Sequence, residues 1–161
     1  MPLLRRHALA ALAALGVTPL RAPAAAPVLT VRGRGLARSV DFDMAALERL
    51  PQQRIVTSTP WYSSPREFVG PLLRAVLQAA GAPPQAERAR LVALNDYRVD
   101  MPLEDVQRHD VVLARLLDGK PMTVREKGPL FVMYPFDEKQ ELHSAPYYAR
   151  CVWQLRSIEL L

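Results

Sequence analysis

Polar and aromatic side chains gather at a few places along this chain, always beside a segment that reads as a strand end. Thr57, Ser58, Thr59 and Trp61 form one such group. Asn95, Asp96 and Tyr97 form a second, and Arg125, Glu126 and Lys127 lead through Gly128-Pro129 toward Phe131 and Tyr134 as a third. Pro146, Tyr147, Tyr148, Ala149 and Arg150 precede Trp153 as a fourth. Aromatic faces with a few converging hydrogen-bonding groups suit a flat heterocycle, which needs stacking surface and an edge of donors and acceptors. The alternative for the same residues is structural: capping turns and core aromatics.

Reaction chemistry has less to draw on. No G-x-S-x-G, H-E-x-x-H or phosphate-cradling glycine loop occurs. Of the three histidines, His7 lies in the N-terminal segment, His109 sits in the polar Arg108-His109-Asp110 connector and His143 in a charged loop. The last two are expected at the surface, and their spacing gives no reason to expect a metal site. A single cysteine, Cys151, excludes an internal disulfide and any zinc or iron–sulfur centre built on clustered thiolates. In an apolar stretch it reads as a small buried hydrophobe, with a reactive or intermolecular thiol as the alternative.

The elements that must position these groups follow from punctuation and periodicity. Val28–Arg32 reads as a strand stopped by Gly33 and Gly35. A short helix over 43–50 has Asp43 to cap it and Pro51 to stop it. Arg54–Thr59 is a β-branched, hydroxyl-rich strand ending at Pro60, and residues 61–65 are a loop. The main helix spans 71–80, with Leu72, Leu73, Val76, Leu77 and Ala80 on one face and Gly81 as its stop. Strands over 91–94, 97–101, 111–117, 130–134 and 152–160, a helical turn over 102–107 and an Asp118-Gly119 hairpin complete the chain. The class is α+β, mostly β, with one main helix and short helical turns.

The first 24 residues read as a signal peptide. Arg5, Arg6 and His7 supply a positive start, 8–17 an apolar run of ten residues, and Ala22-Pro23-Ala24 an A-x-A cleavage site. Ten apolar residues fall short of the roughly 20 that cross a bilayer as a helix. The expectation is a periplasmic protein, residues 25–161 forming one domain with no membrane insertion after cleavage. The formal charge of +5 is partly a targeting feature: losing Arg5, Arg6 and Arg21 from 21 basic residues leaves a near balance with 16 acidic ones. Without a basic run or an aromatic–basic repeat there is no footprint for nucleic acid.

Several stretches resemble the sulfite-oxidase-type molybdopterin-binding domain. Residues 67–81, EFVGPLLRAVLQAAG, are similar to its W-x-G-v-x-L-x-x-L-L-x-x-A-G block, and 97–103, YRVDMPL, to its Y-x-x-x-x-P-L step. Residues 111–122, VVLARLLDGKPM, resemble its D-v-L-L-A-y-x-x-N-G-x-P-L hairpin, 125–135 its R-x-x-G-x-P segment, and 153–158, WQLRSI, its closing W-x-x-x-I strand. The resemblance covers about 50–161 and implies a mostly-β sulfite-oxidase-like fold. Enzymes of that family hold molybdenum through a cysteine at the end of the strand before the W-x-G block. Here that strand end reads Val56-Thr57-Ser58-Thr59-Pro60-Trp61, without cysteine. A hydroxyl is a poor substitute for a soft thiolate.

The departure resembles a cysteine-less periplasmic branch, the PruR-like pterin-binding proteins. That resemblance implies a reduced pterin of the tetrahydropterin type bound without metal, and a partner in the periplasmic domain of an inner-membrane signalling protein, a cyclic-di-GMP enzyme or a sensor kinase. The expected pocket is Thr57, Thr59, Trp61, Asn95, Asp96, Tyr97, Lys127, Tyr134 and Arg150. In it Trp61, Tyr97 or Tyr134 would stack on the ring. Asp96 or Glu67 would take its 2-amino/N3 edge, and Lys127 or Arg150 its oxygen. The alternatives are a molybdopterin-dependent oxidoreductase or its remnant subunit, and an interaction domain without a ligand.

Overall fold

A computed structural model describes residues 25–161, so the expected signal peptide lies outside the described residues. Two antiparallel-rich sheets and a two-stranded ribbon enclose the core. In chain order the elements are β1 (Leu29–Gly33), β2 (Val40–Phe42), α1 (Met44–Arg49), β3 (Gln52–Thr57), β4 (Arg66–Pro71), α2 (Leu73–Ala79), β5 (Arg88–Ala93) and β6 (Arg98–Pro102). There follow α3 (Glu104–Arg108), β7 (Val112–Ala114), β8 (Leu116–Leu117), β9 (Lys120–Pro121), β10 (Phe131–Met133), α4 (Ala145–Arg150) and β11 (Leu155–Leu160). Short 3-10 turns cover Val124–Glu126, Phe136–Glu138 and Gln140–Leu142. The α+β class, mostly β with α2 as the longest helix, is the one expected.

The larger sheet runs β2-β1-β11-β5-β6, with β1 and β11 parallel and the other neighbours antiparallel. The second runs β3-β4-β8-β9, and β10 pairs with β7. A bridge from Phe131 to Trp153 ties that ribbon to the segment entering β11. Between the layers lie Phe68, Leu73, Val76, Leu91, Met101, Leu113, Phe131 and Phe136, all fully or nearly fully buried. Burying side chains of this kind contributes about 1.5–3 kcal/mol each.

Local chemistry explains the boundaries. Asp43 caps α1 by accepting the Ala46 N–H at 2.7 Å. Asp118 (φ 48°) and Gly119 (φ 75°) together make the left-handed pair that a tight hairpin needs between β8 and β9. The main helix starts two residues later than its periodicity predicts, because Pro71 ends β4. The strand expected over 111–117 is broken at Arg115, whose N–H turns to the Val69 carbonyl at 2.9 Å. Three elements escape the sequence reading, β2, β4 and α4. His109, expected in solvent, is 3% exposed, because its ring packs between Tyr134 and Tyr147.

Candidate functional site: an aromatic cleft

Four chain segments converge on one cleft of about 330 Å3, lined by Trp61, Ala93, Asn95, Tyr97, Tyr148, Ala149, Cys151, Val152 and Trp153. Trp61 comes from the loop after β3, and Asn95 and Tyr97 from the β5–β6 turn. Tyr148 and Ala149 come from α4, and Cys151 to Trp153 from the link into β11. Trp61 stands almost perpendicular to Trp153 (centroids 5.9 Å, 89°) and to Tyr148 (6.1 Å, 82°). Such edge-to-face contacts hold aromatic faces apart. Ala93, Cys151 and Val152 are nearly inaccessible and form the base.

The polar groups at the mouth are fixed by the turn. Asn95 Oδ1 accepts the Tyr97 N–H at 3.1 Å, an Asx turn, with Asp96 in the left-handed region at φ 65°. The Tyr97 hydroxyl donates to the Ala149 carbonyl at 3.0 Å and so joins the turn to α4. Tyr148 in turn lies 3.2 Å through its hydroxyl from His143 Nδ1. The size is at the lower end of the ~300–1,000 Å3 range of small-molecule sites. The surface is largely aromatic, with a few hydrogen-bonding groups at its rim, and no lysine or arginine lines it.

Of the nine residues expected in a pocket, Trp61, Asn95 and Tyr97 meet here. Lys127 stands just outside, its ammonium 5.8 Å from the Trp153 ring and 5.2 Å from that of Tyr62. Thr59 Oγ1 accepts the Trp61 N–H at 3.4 Å and shapes the loop. The other four are placed elsewhere. Thr57 is 1% exposed, and its hydroxyl accepts the Asp137 N–H at 3.2 Å. Asp96 points to Arg156 at 2.5 Å, on the solvent side of the turn. Tyr134 is fully buried, donating to Asp105 Oδ2 at 2.6 Å, and Arg150 donates to the same oxygen at 2.8 Å. Glu67 is held by Arg54. Sequence reasoning missed Tyr148, Cys151 and Trp153 as lining residues. The Tyr147-Tyr148 pair in a proline-led segment was the available signal, while nothing local marks Cys151.

The donor set at the end of β3 does not suit a thiolate-held metal. Ser58 commits its N–H and its hydroxyl to Asp137 Oδ2 at 2.8 and 3.0 Å, and the Thr57 and Thr59 hydroxyls are engaged as described. Cys151 is the chain's one thiol; burial pushes its pKa upward, which keeps the sulfur protonated. Among the described residues no three His, Cys, Asp or Glu side chains cluster in a way that could hold a metal.

An α+β domain with an aromatic cleft where a loop, a β-turn, a short helix and the approach to the last strand meet is thus the class defined by fold and site. The chain belongs to the oxidoreductase molybdopterin binding domain family, whose model matches residues 18–136. Among solved structures it is similar to the crystal structure of the sulfane dehydrogenase SoxCD from Paracoccus pantotrophus, with a TM-score of 0.62 and 19% identity. The similarity covers 82% of this chain and 37% of that one, so this chain spans little more than a third of that protein's length. At that identity the likeness shows the fold alone. No curated protein matches the chain.

Proposed function

We propose that this domain binds a reduced pterin in the Trp61–Trp153 cleft without a thiolate-held molybdenum, as an exported protein that passes ligand occupancy to the periplasmic domain of a membrane-bound signalling partner, a cyclic-di-GMP enzyme or a sensor kinase. The carrying observation is the cleft itself, with aromatic faces, a buried base and a few polar groups at the mouth. A bicyclic heterocycle with one donor–acceptor edge matches that distribution. Support for the metal-free form comes from the donors at the end of β3, which are satisfied by Asp137. Leu94, Tyr97 and Val124 are exposed apolar side chains, and the first two lie in or beside the β5–β6 turn at the mouth. They suit contact with a partner that reads the cleft. Export rests on Ala22-Pro23-Ala24, and mature protein recovered from the periplasm should begin near Ala25.

The test is anaerobic titration of the mature protein with a tetrahydropterin, followed by tryptophan fluorescence. Saturable quenching of Trp61 and Trp153 is expected, and its absence at millimolar ligand overturns the reading. Family membership favours a second reading, a molybdopterin-dependent oxidoreductase or a remnant subunit of one. Elemental analysis of protein purified from its native host decides between them. About one molybdenum per chain would establish the second reading.

A further inference from the structure

Charged side chains adjoin the cleft in sequence, yet each is committed elsewhere. Arg150 lies between Ala149 and Cys151, both of which line the cleft. Its guanidinium donates to Asp105 Oδ2 at 2.8 Å and lies over the Tyr147 ring, 5.3 Å from the centroid. Asp105 is itself buried, so moving Arg150 toward a ligand would leave a buried carboxylate without its cation. Asp96 falls between the cleft residues Asn95 and Tyr97, but it pairs with Arg156 at 2.5 Å and lies 3.8 Å from Arg98. Lys127 holds its ammonium over the Tyr62 and Trp153 rings, 5.2 and 5.8 Å from their centroids, where both aromatic faces attract it.

These commitments leave the cleft without charge. None of its nine lining residues is acidic or basic. The base of Ala93, Cys151 and Val152 is dry, and burial pushes the Cys151 pKa up, so no thiolate adds a charge there. An anion entering this space gives up its water and meets no opposite charge. A neutral heterocycle gives up little and gains the aromatic faces. A substituent bonded directly to the ring of a seated ligand lies beside the same walls as the ring.

We infer that the cleft selects uncharged pterins and rejects those whose ring bears an anionic group, because Arg150, Arg156 and Lys127 are held where they do not neutralise it. The inference rests on the pterin reading and narrows it to a substrate class, a neutral pterin with a neutral substituent. Charge, not shape, is the discriminating property, so a cation added at the mouth should relax the selection. Ala149 is the place for one: it lines the cleft and is exposed on α4, and its carbonyl, which accepts from Tyr97, survives a side-chain change.

The experiment compares the tetrahydro forms of 6-hydroxymethylpterin and 6-carboxypterin, which are close in shape and differ by one negative charge at about pH 7. Each is titrated into the mature protein under argon and followed by calorimetry. Burying a charged group without a partner corresponds to about tenfold or more in affinity, so the hydroxymethyl compound should bind at least about tenfold tighter. In Ala149→Lys the ratio should fall toward one at low salt and recover as salt screens the new ammonium. In Lys127→Met the ratio should stay within about twofold of the parent's, since that ammonium serves the Tyr62 and Trp153 rings and not the ligand. Equal or tighter binding of the carboxylate by the parent overturns the inference and leaves pterin binding standing. So does a preference undiminished in Ala149→Lys, which would trace it to shape, or a Lys127→Met variant that weakens the carboxylate alone. Binding of neither compound overturns the pterin reading together with the selectivity.

Discussion

Arg150 and Tyr134 meet on a single oxygen, Asp105 Oδ2, at 2.8 and 2.6 Å. Asp105 belongs to α3 and Arg150 closes α4, so this contact fastens the helix that supplies Tyr148 and Ala149 to the cleft. The carboxylate is 7% exposed. Burial and the hydrogen bond to Asp105 push the Tyr134 pKa up, so the phenol remains a donor at any physiological pH.

Removing Arg150 leaves a buried carboxylate with one neutral partner. Arg150→Ala is expected to cost about 2–4 kcal/mol of stability, somewhat below the range for a fully buried pair, because the guanidinium keeps some solvent contact. Urea denaturation of the mature protein reads this. Asp96→Asn is the contrast, since its pair with Arg156 is solvent-exposed and should change stability by less than about 1 kcal/mol.

Gly70 on β4 sits where a Cβ would lie 1.9 Å from the Leu113 carbonyl oxygen of β7. That oxygen is backbone in a paired strand and cannot retreat cheaply. Gly70→Ala is therefore expected to separate the second sheet from the β7–β10 ribbon and to cost on the order of 3 kcal/mol or more. Circular dichroism melts would show it as a large drop in midpoint, and a midpoint within a few degrees of the parent would refute the close packing.

Much of the frame was legible because it depends on neighbours in sequence. The α2 face of Leu73, Val76 and Leu77, the Asp43 cap and the Asp118-Gly119 hairpin each declare themselves within ten residues. β4 did not, because REFVGP carries a proline and a glycine and becomes a strand only through its pairing with β3 and β8. α4 did not, because Pro146 and two tyrosines read as a loop, although proline is well tolerated in a helix's first turn. The site was about a third legible for the same reason. Trp61, Asn95 and Tyr97 announce themselves beside strand ends. The partners that remove Asp96, Tyr134 and Arg150 from the cleft come from Arg156 and Asp105, between 29 and 60 positions away.

The cleft geometry makes a ligand-side prediction for single residues. Trp61→Ala should weaken tetrahydropterin binding by about 1 kcal/mol, roughly fivefold, through loss of a stacking face. Asp96→Asn should leave it unchanged, since Asp96 faces Arg156 rather than the cleft. Parallel fluorescence or calorimetric titrations separate the two. If Asp96→Asn weakens binding and Trp61→Ala does not, the ligand sits on the outer side of the β5–β6 turn and the aromatic cleft is a packing feature.

His109 should make the fold acid-sensitive before its carboxylates do. Burial, reinforced by the nearby Lys139 ammonium 3.3 Å from Nδ1, pushes its pKa below the ordinary imidazole value, and Nε2 has no hydrogen-bond partner among the described residues. The unfolded chain takes up a proton near the usual value of about 6.5, while the folded protein does not. The unfolded state thus binds more protons in the window just below that pH, and stability rises with pH across it. Acidification from about pH 7 to 5 should therefore lower the denaturation midpoint. The Asp100 and Glu126 carboxylates, held below their usual range by Arg90 and by the Thr123 hydrogen bonds, add their losses only at lower pH. His109→Phe keeps an aromatic ring between Tyr134 and Tyr147 and removes the titrating group. Urea midpoints measured at half-unit steps should flatten between pH 7 and 5 in that variant, and an unchanged slope would mean that His109 is not the group responsible.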